Sequence, residues 1–537
     1  MGVLSMAWHP ATVTLVALPI IYLVGSWLLG ARRPKNFPPG PAPILGLGNI
    51  LQLPPDKIYL KLHEWREEYG EILGLKIGSE NMVILQTAEH VRELFERRGA
   101  IYSDRTQPYI AAQLINPGTI IFQNNGPQLK KLRAALMRHI TGPAELRRVL
   151  KAQSAQAGVL MRSILEDPGN FAEALRHWAL STPMGIISGL EVSDDGGPGS
   201  TEVYFETQER WLRFLNPAQA PPVELFPALK HVPAFFAKWK HEALELQRDM
   251  RRTMYHMLEA AGLQRGKIAK GLRSAENESV LSRLIRDGER SPDLKLAAHD
   301  LALFGGASLD AAVDTMIATT SAMILALAAY PEIQKRLQAE VDEIWGDEVP
   351  SEDKLSKATY LKAVMQETMR WRPAVPASVP RILAQEDTYG GFTFPKGTTV
   401  LANTWTIHGD EKWYANPRDF DPQRYVENQW GVRPEMVGAA ERENRRPHYG
   451  FGTGRRVCPG LDYAENQVTM TMAKLAWGFD ISPRGALDLS IETGFNSAFI
   501  TAPEPFDVDF SPRGEMRKGK ILEDAENGKR VFAAWVE

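Results

Sequence analysis

Cysteine is nearly absent from this chain: among its 537 residues there is one, Cys458. A lone cysteine excludes an internal disulfide framework and a zinc site built from several cysteines. The 11 histidines form no clustered ligand set along the sequence. A single thiol is commonly an inert buried side chain, so Cys458 needs further context before a function can be assigned to it.

A strong charge excess is also missing. The formal net charge is −3 at pH 7, and basic runs such as Arg32-Arg33 are short. Because nucleic-acid-binding domains usually carry a basic patch or stripe, no nucleic-acid partner is expected. Repeats and low-complexity tracts are absent as well. With 44% hydrophobic residues, the chain can bury a large core.

The N-terminus contains an apolar stretch, residues 11–29, without a single charge. Its length is close to the ~20 residues that cross a bilayer as a helix. Arg32, Arg33 and Lys35 follow it and no Lys or Arg precedes it, so the positive-inside rule places the rest of the chain in the cytosol. A cleaved signal peptide is the alternative, disfavoured because a positive n-region and an A-x-A cleavage site are missing. We therefore predict a retained membrane anchor over residues 1–31.

The organisation beyond the anchor is mostly helical. Residues 32–45, including "NFPPGPAPIL", are predicted to form a stiff proline-rich linker. "EILGLKIGSENMVILQT" alternates like a hairpin, and "YGGFTFPKGTTVLAN" is typical of short strands and turns. Periodicity predicts helices over about 127–190 (with breaks at its prolines), 237–262, 293–328 and 331–345, and loops near 191–201 and 266–278. One large domain over residues 46–537, mainly α with a small β part, is the economical interpretation.

The predicted helix from about Leu294 to Ala328 carries polar residues in an unusual setting. It is apolar on nearly every face, so it should run buried through the centre of the fold. Asp310, Asp314 and Thr315 lie in its middle. A buried carboxylate without a partner is costly, so each of these acids needs either a partner or a function.

The stretch "FGTGRRVCPG" gives Cys458 its context. Pro459 suits the first turn of a helix and helical periodicity follows, so Cys458 is predicted at a helix N-terminus, which favours a thiolate. Gly454 and Gly460 permit a tight loop against a planar cofactor, and Arg456 can meet an anionic group at its edge. A thiolate on such a loop fits axial ligation of haem iron.

This loop resembles the haem-binding motif F-x-x-G-x-R-x-C-x-G of the cytochrome P450 superfamily at all its fixed positions, Phe451, Gly454, Arg456, Cys458 and Gly460. A chance match is on the order of one in ten thousand. The resemblance implies the P450 fold, haem b with Cys458 as the axial iron ligand, and a haem-thiolate catalytic domain over residues 46–537. "LANTWTIHGDEKWYANPRDFDPQRY" and "PALKHVPAFF" are most similar to fungal microsomal members of secondary-metabolite pathways.

Further family motifs follow in the expected order. "ETMRWRP" contains Glu367 and Arg370, and "DPQRY" contains Arg424; the resemblance implies that the three form a buried structural triad. Arg381 in "VPRIL" resembles the arginine that reaches a haem propionate. Arg133 in "LKKLR" resembles the arginine of the family's helix C motif, although a leucine replaces the usual tryptophan.

The central helix also resembles its family counterpart. Counting back from "YPEIQKRLQAEVDEI" puts Asp314 and Thr315 at the acid–alcohol pair, which implies that they deliver the protons consumed in oxygen activation. The alternative for Asp314 is a structurally satisfied polar group. Asp310 either anchors a polar group on an apolar substrate or turns toward a neighbouring helix. The implied substrate pocket includes Ala307, Asp310, Ala311, Val379 and Phe499.

The function implied by the resemblance is that of a monooxygenase held in the endoplasmic reticulum membrane by one span, with a cytosolic catalytic domain. It would insert one atom of O2 into an apolar small molecule, in a tailoring step of fungal terpenoid, polyketide or alkaloid biosynthesis. Electrons would come from NADPH–cytochrome P450 reductase, with cytochrome b5 as a second candidate, since no G-x-G-x-x-G nucleotide site is visible. A docking face is expected among Lys130, Lys131, Arg445, Arg446 and Arg455, unless these are simply solvated.

Two alternatives remain open at this point. One is a haem-thiolate isomerase or dehydratase that uses no external electrons. The other is a haem-binding sensor or carrier, in which Cys458 only holds the cofactor. Neither requires an acid–alcohol pair, so the presence of Asp314 and Thr315 favours the monooxygenase.

Overall fold

The computed structural model describes residues 25, 29–193, 195–216, 219–496 and 499–536. The predicted anchor over residues 1–31 lies outside the described residues, apart from residues 25 and 29–31, so it stays a prediction. Within the described ranges the chain is mainly helical with a small β part, as predicted.

The secondary structure can be given in chain order. The helices are α1 (Ile58–Tyr69), α2 (Ala88–Val91), α3 (Pro127–His139), α4 (Pro143–Glu166), α5 (Phe171–Ser188), α6 (Thr201–Leu215), α7 (Lys238–Ala269), α8 (Val280–Arg290), α9 (Ala298–Ala329), α10 (Pro331–Trp345), α11 (Thr359–Trp371), α12 (Thr404–His408), α13 (Gln423–Glu427), α14 (Val437–Arg442), α15 (Leu461–Gly478) and α16 (Glu515–Val536). The strands are β1 (Ile72–Ile77), β2 (Glu80–Leu85), β3 (Arg381–Ile382), β4 (Asp387–Tyr389), β5 (Phe392–Phe394), β6 (Thr399–Ala402), β7 (Phe479–Pro483) and β8 (Val508–Pro512). The segments Arg92–Arg97 and Tyr109–Ile115 are π-helical.

The main sheet has the strand order β1-β2-β6-β3. β1 and β2 form the predicted antiparallel hairpin, with Ile72 opposite Leu85. Its turn uses Gly78 at φ 58°, a left-handed conformation that glycine adopts without steric cost. β6 runs parallel to β2 and antiparallel to β3. Arg381 therefore lies on β3, the edge strand of the sheet.

The proline-rich linker is held against this sheet. The Gly74 N–H donates to the Pro39 carbonyl at 2.8 Å, and the Asn49 side chain donates to the Pro41 carbonyl at 2.8 Å. A Cβ atom on Gly40 would lie only 2.1 Å from the Gly74 oxygen, so this close approach requires glycine. The linker therefore leaves the sheet in a direction set by these contacts.

Helix α9 forms the centre of the core, as predicted, but begins at Ala298 rather than near Leu294. The difference arises because Pro292–Leu294 close a 3₁₀ turn instead. Among the described helices, α9 is the one long and apolar enough to span a membrane, but 67% of its most apolar stretch is buried inside the protein. Its length and apolar character therefore reflect its place in the core.

Several helix predictions need correction. The segment 127–190 forms three helices, with breaks before Pro143 and at Pro168, whereas Pro183 lies inside α5. The loop predicted near 266–278 starts later, because α7 continues to Ala269. The sequence analysis did not assign α6 or α16. Both contribute to the site described below, α6 directly and α16 through its packing.

Candidate active site

The loop around Cys458 folds tightly between helices. The Cys458 N–H donates to the Phe451 carbonyl at 2.9 Å. The prediction that Pro459 starts a helix is wrong by two residues: Gly460 is the N-cap and α15 begins at Leu461. Gly454 has φ 63°, and a Cβ atom there would lie 2.0 Å from the Phe95 oxygen. This glycine lets the loop lie on the π-helical segment and does not itself border the cavity.

The surroundings of the Cys458 thiol do not lower its pKa. Burial raises the pKa of Cys458, and the Gly460 N–H and the Arg133 guanidinium only partly oppose that shift. This direction is opposite to the lowered pKa expected for a thiol at a helix N-terminus. Coordination to a metal cation would deprotonate the Cys458 thiol despite its raised pKa, since a coordinating thiol is deprotonated outright.

A cavity of about 410 Å³ lies between the cysteine loop and α9. Most of its wall is apolar, including Leu129 at the position of the family's usual tryptophan. Predicted cofactor residues that border it are Cys458, Arg456, Phe451, Gly460, Arg133 and Arg381. Predicted pocket residues that border it are Ala307, Asp310, Ala311, Val379 and Phe499, together with Thr315. The cavity thus brings the thiol and the predicted substrate residues together, but not the side chain of Asp314.

Four arginines converge on this cavity, one more than the sequence analysis identified. Arg381 donates to the Thr453 carbonyl at 2.7 Å and Arg456 to the Ser103 carbonyl at 2.7 Å. Arg133 donates to the Val457 carbonyl at 2.9 Å. The fourth is Arg105, whose Nη1 donates to the carbonyls of Val379 and Pro380, both at 2.7 Å. No motif marks Arg105, so only the fold could reveal it.

These guanidinium groups lack acidic partners. Among the described residues no carboxylate forms an ion pair with Arg105, Arg133, Arg381 or Arg456, and the buried Nε of Arg105 has no hydrogen-bond partner. Burial, followed by repulsion from Arg456, lowers the pKa of Arg381 to about 9. Burial likewise lowers the pKa of Arg456 to about 10. Cations held this closely call for an anionic group in the cavity.

A buried ion triad supports the cysteine loop. Arg370 donates to both oxygens of Glu367 at 2.7 Å, and the Arg424 Nε donates to Glu367 Oε1 at 3.2 Å. Arg370 Nη1 also donates to the His408 carbonyl at 3.0 Å. The His408 Nε2 in turn accepts from the Tyr449 N–H at 2.7 Å. Tyr449 lies two residues before Phe451, so His408 connects the triad to the start of the loop.

The two acids in the middle of α9, Asp310 and Asp314, are both contacted by α6. The Tyr204 hydroxyl lies 3.4 Å from Asp310 Oδ1, and Gln208 Nε2 donates to Asp314 Oδ2 at 2.6 Å. Burial, followed by the negative charge of Asp314, raises the pKa of Asp310 to about 8. Burial raises the pKa of Asp314 to about 6, against the effects of Gln208 and Arg176. Sequence reasoning missed both α6 residues.

Thr315 borders the cavity with its hydroxyl turned back to the helix. The Oγ1 donates to the Ala311 carbonyl at 2.8 Å. Because that bond uses the hydroxyl proton, the oxygen lone pairs remain available as hydrogen-bond acceptors on the cavity side.

The comparisons with known proteins identify the family. The family model "Cytochrome P450" matches residues 38–510. The chain belongs to the cytochrome P450 family. A cytochrome P450 monooxygenase of Arthrobotrys oligospora is 32% identical, with 97% of this chain and 98% of the relative covered. The P450 monooxygenase grgG of a Penicillium species is 33% identical, with 97% and 96% covered.

A solved structure agrees with the fold. A zebra fish cytochrome P450 solved with abiraterone aligns with a TM-score of 0.67, at 20% sequence identity. The alignment covers 85% of this chain and all of the other. At this identity the likeness concerns the fold alone. It confirms the predicted P450 architecture.

The residues of this P450 fit the haem that its family carries. Cys458 is the one cysteine among the described residues and borders the cavity; its role as iron ligand stays a prediction. The unpaired guanidinium groups of Arg105, Arg133, Arg381 and Arg456 match the two carboxylates at the edge of haem b. The sequence-based assignment of a haem monooxygenase is therefore confirmed at the level of family and cofactor.

The basic residues expected at a docking face differ in their exposure. Arg445 is buried and stacks on the Trp413 ring at 4.2 Å, so it cannot contact a partner protein. Arg446 is half-buried and pairs with Glu96 at 3.2 Å. Lys130 and Arg455 are exposed. The expected face is therefore smaller than the sequence suggested.

Proposed function

We propose that this P450 is a membrane-anchored monooxygenase that hydroxylates or otherwise oxidises an apolar small molecule in fungal secondary-metabolite biosynthesis. One observation carries the proposal. A largely apolar cavity has the Cys458 thiol on one side and Thr315, next to Asp314, on the helix that borders it. Such a cavity suits an apolar substrate held close to a haem.

The chemistry divides between the cofactor and the protein. When bound, the haem supplies oxygen activation and transfer of one oxygen atom, given two external electrons. Cys458 Sγ would hold the iron, and Arg105, Arg133, Arg381 and Arg456 would hold the propionates. The remaining residues then bind the substrate, exclude water and supply protons.

Proton supply is the role proposed for Asp314 and Thr315. With its pKa raised to about 6, Asp314 can take up and release a proton at a carboxyl oxygen near neutral pH. Its carboxylate accepts a hydrogen bond from Gln208, which itself borders the cavity, so Asp314 lies one hydrogen bond away from the cavity wall. The Thr315 hydroxyl borders the cavity one residue later and can accept a hydrogen bond there.

Membrane attachment is supported by exposed apolar side chains near the start of the described chain. Leu29, Ile44, Leu45 and Leu51 are exposed, at 53%, 42%, 58% and 70%. The Gly78 turn links this region to the α6–α7 connection, because Leu47 accepts its N–H and Leu225 packs against it. That connection exposes Phe235 and Phe236 at 91% and 76%. Exposed apolar groups of this size favour contact with lipid.

Electron supply by a separate NADPH–cytochrome P450 reductase, with cytochrome b5 as a second candidate, remains part of the proposal. Lys130 lies on α3, three residues before Arg133, and Arg455 lies three residues before Cys458. Both are exposed, so an acidic partner could approach them close to the haem site.

Oxygen consumption provides the test. Reconstituted with reductase and a substrate found by metabolite profiling of a host with and without this chain, the enzyme should consume O2 and NADPH. It should form a product heavier by one oxygen atom, and Cys458→Ala should lose this activity together with the thiolate-type carbon monoxide spectrum. Product formation without NADPH would instead identify an isomerase or dehydratase. Haem binding without any turnover would identify a sensor or carrier.

A further inference from the structure

Asp310 is the acidic side chain that borders the cavity. Its Oδ1 is approached by the Tyr204 hydroxyl at 3.4 Å, at the long limit of a hydrogen bond. Among the described residues, no hydrogen bond reaches Oδ2 and no ion pair involves Asp310. The Asp310 carboxyl group therefore has hydrogen-bonding atoms without a protein partner at the wall of a largely apolar cavity.

The charged and polar groups around Asp310 do not satisfy its free carboxyl oxygen. On α9 itself the charged neighbour is Asp314, which repels a charge on Asp310. From α6, Tyr204 faces Asp310 while Gln208 is engaged by Asp314. From α5, Arg176 acts on Asp314 and is not among the groups that affect Asp310.

Tyr204 lies behind the acid rather than beside the cavity. Its ring is 4% exposed and does not border the cavity. By contacting Oδ1, it leaves Oδ2 without a hydrogen-bond partner among the described residues. Tyr204 is therefore a positioning residue for the carboxyl group.

We propose that Asp310 recognises the substrate: its Oδ2 hydrogen-bonds to a hydroxyl or cationic amino group on an otherwise apolar molecule, and Tyr204 orients the carboxyl for this contact. The inference rests on the proposed function, because it requires that the cavity binds the substrate. It also implies that the substrate already carries a heteroatom when it arrives. A reaction that leaves such a group on the molecule must therefore precede this one.

The size of the effect follows from the chemistry of the contact. A ligand without a polar group leaves the buried carboxyl unsatisfied, whereas one with a suitable group satisfies it. A hydrogen bond of this kind corresponds to about tenfold in affinity, and up to about a hundredfold when one partner is charged. An apolar wall would produce no such preference.

The test compares matched ligands on the haem-loaded ferric enzyme. Decalin, 2-decalol and the quaternary 2-decalyl-trimethylammonium ion share one apolar framework, and none carries an amine that can ligate iron. 2-Decalol tests the hydrogen bond to Asp310, whereas the quaternary ion has no N–H to donate and tests attraction to a positive charge alone. Dissociation constants are measured by calorimetry and by the haem absorbance shift. We expect the parent enzyme to bind at least one polar probe about tenfold more tightly than decalin. Asp310→Leu should abolish that preference and Tyr204→Phe should reduce it.

The variants separate recognition from structure. Ser308→Ala is the matched control, since Ser308 also borders the cavity but its hydroxyl donates to the Phe304 carbonyl at 2.7 Å; the preference should persist. Asp310→Ala serves if the leucine variant loses haem, because alanine also removes every hydrogen-bonding atom of this side chain; the preference should again be lost. A preference for 2-decalol indicates a neutral group on the substrate, and a preference for the ammonium probe indicates a cationic one.

Two outcomes would overturn the proposal. In one, the parent enzyme shows no preference for either polar probe; in the other, the preference survives in Asp310→Leu. The titrations use neither NADPH nor reductase. A failed turnover assay would therefore count against the monooxygenase proposal alone, and a failed titration against Asp310 recognition alone.

Discussion

The buried ion pair between Lys474 and Asp524 offers a quantitative test of how the haem site is supported. The Lys474 ammonium on α15 donates to Asp524 Oδ2 on α16 at 2.6 Å and to the Ser154 carbonyl on α4 at 2.9 Å. Lys474 and Asp524 side chains are 2% and 20% exposed. Because α15 leads directly away from Cys458, we predict that this pair fastens the helix behind the haem ligand.

The expected magnitude differs between the two partners. Asp524→Asn leaves a buried ammonium without its counter-charge, which should cost about 3–5 kcal/mol in the free energy of unfolding. Lys474→Met should cost less, because the partly exposed Asp524 carboxylate can turn toward water. The double variant Lys474→Met/Asp524→Leu should recover most of the loss, since apolar replacement of a whole buried pair is often neutral.

The assay is urea denaturation of the haem-loaded enzyme, followed by tryptophan fluorescence and by the haem absorbance band. The matched control is the Lys520–Glu348 pair, also at 2.6 Å but with side chains 28% and 77% exposed. Lys520→Met should change the free energy of unfolding by less than about 1 kcal/mol. If Asp524→Asn lowers the free energy of unfolding no more than the control does, the contact between α15 and α16 does not stabilise the haem site and the reasoning is refuted.

Three further predictions concern the site itself. Glu367→Gln should cost about 3 kcal/mol or more and reduce haem incorporation, because it leaves two buried guanidinium groups without their carboxylate; normal haem content and urea midpoint would contradict this. The free energy of unfolding of the parent enzyme should fall relative to that of Asp310→Asn as pH rises from about 4 to about 8. The reason is that the Asp310 carboxyl group ionises near 3.8 in the unfolded chain and near 8 in the folded one. A difference between the two proteins that stays constant with pH in urea titrations would refute this prediction. Lys130→Glu with Arg455→Glu should slow reductase-driven turnover most at low ionic strength, whereas equal rates across a salt series would exclude this docking face.

Local motifs account for what the sequence could predict of the site. The cysteine loop lies within ten consecutive residues, so its glycines, arginine and thiol are fixed relative to one another by short-range geometry. Glu367 and Arg370 are one helical turn apart, so their pairing follows from helix periodicity. Arg105 belongs to no such motif. Its place beside Arg381 depends on the antiparallel bridge between Asp104 and Ile382 of β3, which is a tertiary contact.

Two of the helices that were not assigned from the sequence, α6 and α16, had weaker but readable patterns. In α16, the buried positions Ile521, Ala525, Gly528, Phe532 and Trp535 follow helical spacing, but two are small and charged residues separate them. A Cβ atom on Gly528 would lie 2.4 Å from the Ala155 oxygen, so a residue that weakens the helical pattern is the one that permits its packing. In α6, polar residues such as Gln208 occupy buried positions, which obscures the apolar face.

The contact between α6 and α9 explains how two acids can share one buried helix face. Tyr204 and Gln208 are four residues apart, as are Asp310 and Asp314, so each acid meets its own partner along the two helices. The pKa of Asp310 is raised to about 8 and that of Asp314 to about 6. Near pH 7 the pair therefore holds about one negative charge rather than two, which limits the repulsion expected at this spacing. Environments that separate the pKa values of two like groups also separate their roles. Asp314, outside the cavity wall, is suited to proton transfer, and Asp310, on that wall, is suited to holding a substrate.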